Sequence, residues 1–269
     1  MTRESTHLVV PRSKVRLSRI PTGNHHEILN KEAAGVLVGL HIEQLIALQE
    51  VFYASQKKAL LIVLQGMDTA GKDGTIRHIF SGINPQGCQV SSFKVPTPIE
   101  AQHGFLWRCQ KQIPARGMIG IFNRSHYEDV LSPSIHGVIG PKAVRSRLKD
   151  INAWEETLTD DGVIILKFYL HISRTEQTKR LQSRIDTPDK RWKLSAADFA
   201  ERPFWPKYMR AYEDILSHTS RKRAPWFVIP SDHKWYRNAA ISTILVDAMS
   251  RLKLDYPAPS FNPKGMNLK

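Results

Sequence analysis

Ala59-Leu-Leu-Ile-Val-Leu-Gln65 runs straight into Gly66-Met-Asp-Thr-Ala-Gly-Lys-Asp-Gly-Thr-Ile76, and this junction restricts the chain to few folds. An aliphatic run without polar alternation is the pattern of a strand buried on both faces, as in a parallel sheet. Ile76, Ile79 and Phe80 then follow at helical spacing. Between strand and helix lies G-x-x-x-x-G-K, with Gly66, Gly71 and Lys72 at its fixed positions. Glycines let the backbone turn tightly and bring its N–H groups against an anion. The helix start adds unpaired N–H groups and the positive end of a dipole. Lys72 adds a charge that reaches phosphate oxygens. The stretch predicts a phosphate cradle of Gly66, Ala70, Gly71, Asp73, Gly74 and Thr75 around Lys72. The plainer alternative is a strand-to-helix turn with a solvated lysine.

Two departures from the usual pattern carry chemistry. Asp73 follows Lys72 where a Ser or Thr hydroxyl usually meets magnesium. Asp68 sits inside the loop. A carboxylate aimed into a phosphate cradle repels a bare phosphate, but it suits a metal ion or a metal-bound phosphate. The alternative is an Asp that closes the turn on its own backbone.

The rest of the chain alternates strands with helices. Residues 1–30 carry scattered Arg, Lys, Pro and His without a sustained period, which predicts an arm laid on the body or partly disordered. Apolar residues from Ile42 to Phe52 follow helical spacing up to Lys57-Lys58. Further strands are expected at Val90–Val95, Met118–Phe122, Val163–Leu170 and Trp226–Ile229. Helices are expected from about Ile99 to Gln112, from Pro141 through Trp154, from a capping box at Ser173-Arg-Thr-Glu176, and from Trp235 to Leu252. A polar tail covers 257–269. This order predicts one α/β domain over 31–256, a three-layer α/β/α sandwich around a parallel sheet.

Ligands in such sheets bind beyond the carboxyl ends of the strands. That rule puts Asn123-Arg-Ser-His-Tyr-Glu-Asp129 beside the loop and makes Asn123, Arg124, Tyr127, Glu128 and Asp129 candidates. Asn123 stands where an Asp often holds magnesium. The acids Glu128 and Asp129 then join Asp68 as candidate metal ligands, and are expected to matter most for a monophosphate acceptor. A solvated, salt-bridged loop is the alternative. A third cluster spans 174–210, where Arg174, Arg180, Arg184, Arg191, Lys193, Arg202 and other cations interleave with Trp192, Phe204 and Trp205. It reads as a lid closing over phosphates, with Arg184, Arg191 and Lys193 as binding residues. A solvated basic face or a nucleic-acid patch would share this composition.

Charge agrees with a phosphorylated ligand. Lys plus Arg number 39 against 25 Asp plus Glu, a net charge of +14, which calls for a polyanionic partner. Two cysteines, Cys88 and Cys109, form neither a disulfide framework nor a zinc pattern. The N-terminus has no signal-like apolar core, and Ala59–Leu64 is too short to span a bilayer. A soluble cytoplasmic protein without a membrane partner is expected.

Taken together, the Gly66–Thr75 loop, Phe122-Asn-Arg-Ser-His-Tyr-Glu-Asp-Val130, Asp189-Lys-Arg-Trp-Lys193, Trp226-Phe-Val-Ile-Pro230 and Lys234-Trp-Tyr-Arg-Asn238 closely resemble the polyphosphate kinase 2 family, from about Lys31 to Tyr256. The resemblance implies a P-loop kinase-like fold. It also implies reversible transfer of a terminal phosphate from inorganic polyphosphate to an adenine nucleotide, with magnesium or manganese. By position, Asp68 would orient metal and phosphates, and Lys72 would bind phosphate. Arg124, Arg184, Arg191 and Lys193 would hold polyphosphate or nucleotide phosphates. The Asn-Arg-Ser-His-Tyr-Glu-Asp form is similar to the branch that accepts AMP as well as ADP. A homo-oligomer without nucleic acid is expected. The rival readings are an ATP-dependent P-loop nucleotide kinase, against which Asp73 argues, and a basic nucleic-acid binder, which leaves Asp68, Glu128 and Asp129 unexplained.

Overall fold

The computed structural model describes residues 6–26 and 28–261. Glu27, the first five residues of the expected arm and the last eight of the expected tail lie outside them. In chain order the elements are α1 (Lys31–Ser55), β1 (Ala59–Gly66), α2 (Lys72–Ile79), β2 (Cys88–Ser92), α3 (Trp107–Gln110), β3 (Ile119–Asn123), α4 (Glu128–Ile135), α5 (Pro141–Asp160), β4 (Val163–His171), α6 (Arg174–Asp186), α7 (Ala196–Ala200), α8 (Trp205–Thr219), β5 (Trp226–Pro230) and α9 (Lys234–Ser250).

Every residue of β1 is buried, as its unbroken aliphatic run requires. It occupies the centre of a parallel sheet ordered β2-β3-β1-β4-β5. Each fully buried Leu, Ile or Val contributes about 1.5–3 kcal/mol of burial, so this strand anchors the core. One helical layer contains α1, α2 and α9, and the other contains α4, α5 and α8. The register sets Leu64 beside Asn123 and Gly66 beside Leu170. The carboxyl ends of β1, β3 and β4 therefore meet at one edge, and the loop after β1 opens there.

The arm extends the sheet. Leu8 forms an antiparallel bridge with Phe227, Val9 N–H donates to Trp226 O at 2.9 Å, and Val228 N–H donates to His7 O at 2.9 Å. Val9, Val15 and Leu17 of the arm are buried, and the Val15 and Leu17 amides donate to Ser217 Oγ and Glu213 Oε1 of α8. α1 begins at Lys31, capped by Asn30 Oδ1 accepting from Ala33 N–H at 2.8 Å. It is the only helix among the described residues long and apolar enough to cross a membrane. Ala34, Val38, Leu45 and Phe52 form its buried stripe, and α9 is its main neighbour.

Two local expectations change. The helix expected over about 99–112 is a 3-10 turn at Glu100–Gln102 followed by the single turn of α3. Gly104 lies between them and favours interruption over continuity. At Ser173 only half of the capping box forms. Ser173 Oγ accepts from Glu176 N–H at 3.0 Å, but the Glu176 carboxylate turns to Arg180 Nε at 2.8 Å. Ser173 N–H is taken instead by Asp232 Oδ1 at 2.8 Å.

Beneath the open edge lies a polar network in a dry place. Lys167 of β4 is fully buried and ion-paired with Glu155 of α5. It also donates to Tyr127 Oη at 3.0 Å and to Thr219 O at 2.8 Å. Tyr127 Oη donates to Glu155 Oε1 at 2.8 Å. Burial opposes the Glu155 charge, but Lys167 and then His126 outweigh it and hold the carboxyl below its usual range. This network ties β4, α5 and α8 to the segment between β3 and α4.

Candidate phosphate site

The loop after β1 takes the shape its glycines permit. Gly71 has φ 111°, and a Cβ there would stand 1.7 Å from Arg237 Nη1. No L side chain fits that turn. Thr69 also has positive φ, 65°, a strained conformation for a β-branched residue and of the kind held at ligand sites. Gly71 caps α2 without a side-chain acceptor, so the first amides of the helix are not occupied by a cap. The Ala70 amide closes the turn on Met67 O at 3.1 Å. Ala70 therefore contributes to the cradle by shaping it, and the open donors lie further along, at the start of α2.

Lys72 bends back over the loop and donates to Gly66 O at 2.8 Å and to Met67 O at 3.4 Å. Burial, and then Arg124, pull its ammonium below the ordinary lysine value, against Asp68, Glu128 and Asp73. Asp68 forms an ion pair with Arg124 at 2.7 Å. Its own carbonyl accepts from Gln177 Nε2 of α6 at 3.1 Å. Arg124 holds a left-handed backbone, φ 62°, with its amide bonded to Leu64 O at 3.0 Å. That turn aims its side chain at the loop. Burial alone would lower the Arg124 guanidinium; Glu128 and Asp68 outweigh it and hold it above its usual value.

Asn123, expected near magnesium, instead donates from Nδ2 to Asp73 Oδ1 at 2.6 Å. Asp73, in place of the usual hydroxyl, and Asn123, in place of the usual Asp, thus bond to each other across α2 and β3. Thr75, expected at the ligand, is fully buried under the loop.

The acidic pair does not converge. Glu128 and Asp129 are successive residues of a helix, so their side chains leave about 100° apart. Glu128 lines the cleft with Asp68 and Arg124. Burial pushes its carboxyl above the usual range, against Arg124 and Lys72. Asp129 faces away, in an ion pair with Arg108 at 2.8 Å. Tyr127, expected to bind substrate, is fully buried in the Lys167 network. The motif places three candidates in a row, Tyr127, Glu128 and Asp129, and the turn into α4 sorts them into cleft and core.

The lid cations bond to the lid itself. Arg184 Nη1 reaches Lys193 O at 3.4 Å, Arg191 Nε donates to Ile185 O at 2.8 Å, and Lys193 lies over the Trp192 ring at 5.0 Å. The lid side of the cleft is formed by residues the sequence does not single out as site residues: Gln177, Asp198, Glu201, Arg202, Tyr208 and Tyr212. Asp198 is pushed up by burial and then by Asp68. Arg180, one cation among many in the sequence, is buried against the loop, and Arg237 joins it there. The clash that any Gly71 side chain would meet is the trace of that second arginine.

A parallel sheet, a glycine-bounded loop at its central strand and open amides at the next helix define a phosphate-loop protein of the α/β class. The chain belongs to the polyphosphate kinase 2 family: the family profile, Polyphosphate kinase 2 (PPK2), matches residues 30–256. The chain is 44% identical over 256 residues to the ADP-polyphosphate phosphotransferase of Rhodopseudomonas palustris, covering 91% of this chain and 89% of that one. It is 45% identical over 229 residues to the AMP/ADP-polyphosphate phosphotransferase of Meiothermus ruber, covering 85% and 86%. The crystal structure of Polyphosphate Kinase 2 from Arthrobacter aurescens TC1 superposes with a TM-score of 0.90 at 39% identity, over 96% of this chain and 95% of that one.

Proposed function

We propose that this chain is a polyphosphate-dependent nucleotide kinase that moves the terminal phosphoryl group of inorganic polyphosphate onto AMP or ADP, reversibly. The observation that carries this reading is the Asp68–Arg124 pair at the mouth of the phosphate loop, beneath a cationic lid. Phosphoryl transfer asks a protein mainly to align donor and acceptor and to answer charge. Lys72 and the first amides of α2 would hold phosphate oxygens once Lys72 leaves the loop carbonyls. Arg124 would turn between Asp68 and the ligand. Arg184, Arg191 and Lys193 would grip the chain of phosphates as the lid closes.

Among the described residues no three His, Cys, Asp or Glu side chains gather at one point. Asp68 and Glu128 do line one cleft. One or two carboxylates, with the remaining positions left to phosphate oxygens and water, fit magnesium, or manganese in its place. When bound, the metal would neutralise charge building up on the transferred group.

The test is an assay of the purified chain with magnesium, AMP or ADP, and either polyphosphate or ATP as donor. Growth of ADP or ATP from polyphosphate supports the reading. Transfer from ATP alone makes the chain an ordinary nucleotide kinase, and no transfer from either donor removes both enzymes.

Two further outcomes follow from the geometry. Replacing Arg191 by Gln is expected to raise the KM for polyphosphate and to flatten its log–log salt dependence by about one unit, since each cation on a polyanion releases bound counterions. An unchanged slope in a folded variant would take Arg191 out of the clamp. Glu128, not Asp129, faces the cleft, so Glu128→Gln is expected to slow AMP phosphorylation about tenfold more than ADP phosphorylation, the scale of one charged contact. Asp129→Asn loosens the Arg108 pair instead, and should lower the melting temperature while reducing both acceptors equally. Initial rates for both acceptors at saturating polyphosphate decide between these outcomes.

A further inference from the structure

Two arginines lie behind the phosphate loop. Arg180 of α6 is 8% exposed and Arg237 of α9 is 2% exposed. Arg180 donates to Thr69 O at 3.0 Å, to Ala70 O at 3.1 Å, to Ser231 O at 2.6 Å and to Asp232 O at 2.9 Å. Its charge is answered by Glu176 at 2.8 Å. Arg237 donates from Nη1 to Ala70 O at 3.1 Å and otherwise holds only the neutral Asn238 Oδ1, at 2.9 and 3.2 Å. No ion pair joins Arg237 to a carboxylate among the described residues. Burial, and then Arg180, pull its guanidinium down to about 9.

A buried charge without a counter-ion is costly, and folds seldom keep one beyond what packing needs. Arg237 has a further geometric mark. Its guanidinium fills the space over Gly71, the residue that caps the helix presenting the open amides. It grips the carbonyl just before that residue. Fixing this peptide fixes the direction of the amides that follow, and hydrogen-bonding its carbonyl polarises its own N–H, that of Gly71.

We propose that Arg237 is a positioning residue for the phosphate loop, and that its buried charge is answered by the phosphates of the ligand rather than by a protein carboxylate. The loop lies between Arg237 and the ligand, so the residue acts through the Ala70–Gly71 peptide and through its field. The proposal rests on the reading that this loop binds a polyphosphorylated ligand, and extends it to a side chain on the far side of the loop.

The test uses Arg237→Met, which removes charge and fork but keeps an unbranched apolar stem, and Arg237→Lys, which keeps charge but cannot hold Ala70 O and Asn238 together. Tripolyphosphate binding is measured by calorimetry and by the shift it causes in melting temperature, without an acceptor; kcat is measured separately. The Met variant is expected to bind tripolyphosphate about tenfold more weakly and to lose most of the ligand-induced shift. The Lys variant is expected to bind within about threefold of wild type but to lose about tenfold in kcat, because the loop is no longer aligned. A mere brace would lower the ligand-free melting temperature of both variants and leave the ligand-induced shift intact, which would overturn the proposal. Equal loss of binding in Lys and Met would overturn the charge argument. If the Met variant does not fold, the Lys variant decides alone: unchanged kcat overturns the positioning role. A wild type that binds tripolyphosphate but transfers nothing removes the proposed function and leaves this inference decided by binding. A wild type that binds none removes both.

Discussion

Lys167→Met is expected to destabilise the protein by about 3–5 kcal/mol, the cost of leaving one member of a buried ion pair without the other. Lys167 and Glu155 are both almost fully buried. Removing the ammonium strands the Glu155 carboxylate in the core. It also takes a partner from Tyr127 Oη and from Thr219 O. The double variant Lys167→Met with Glu155→Leu should recover much of that loss, because both charges then leave together. Denaturant midpoints of the wild type, both single variants and the double variant check this. A single-variant loss below about 1 kcal/mol, the range of exposed pairs, would show that the pair is not held as described. The effect should reach function as well. His126 and Tyr127 bind the network, and they lie between Arg124 and Glu128, the two residues of this segment that face the cleft.

The parts of this protein that were legible in the sequence are those whose causes are local. An aliphatic run followed by G-x-x-x-x-G-K specifies strand, turn and helix start within a single stretch, and the structure has them at Ala59–Gly66 and Lys72–Ile79. The neighbour of that loop was legible from topology, because strands of a parallel sheet open at the same edge. Within Asn123–Asp129 the sequence marks the segment that borders the loop but not which side chains face the cleft. Tyr127 and Asp129 carry the chemistry of a site, yet helical rotation and the partners Lys167 and Arg108 turn them away from it. The two arginines behind the loop were beyond local reading. Arg180 meets Ala70 across 110 residues and Arg237 meets it across 167, and nothing near either residue announces the contact. Lys167 left a trace that could have been used. A lysine inside a strand built mostly from buried apolar residues needs a buried acid, and Glu155 sits on the helix just before that strand.

Asp68→Asn is expected to reduce turnover at least about 100-fold while the fold survives, the scale of losing one preorganised electrostatic group. The side chain is partly exposed and belongs to a loop, so its replacement by an isosteric amide disturbs little packing. The amide oxygen can still accept from Arg124, so the geometry of that 2.7 Å contact need not be lost. What disappears is the negative charge. If Asp68 acts on the reaction by holding a metal-bound phosphate, the loss falls on kcat, and the magnesium concentration needed for half-maximal rate rises. If it acts only by steering Arg124, the loss follows that arginine instead. The double variant Asp68→Asn with Arg124→Gln separates the two, because effects passing through one contact do not add. Independent action predicts that the two losses multiply. Action through Arg124 alone predicts a double variant no slower than the slower single one. A folded Asp68→Asn protein within about threefold of the wild-type rate would remove Asp68 from the chemistry altogether, since a charge aimed at the reacting phosphates cannot be lost that cheaply.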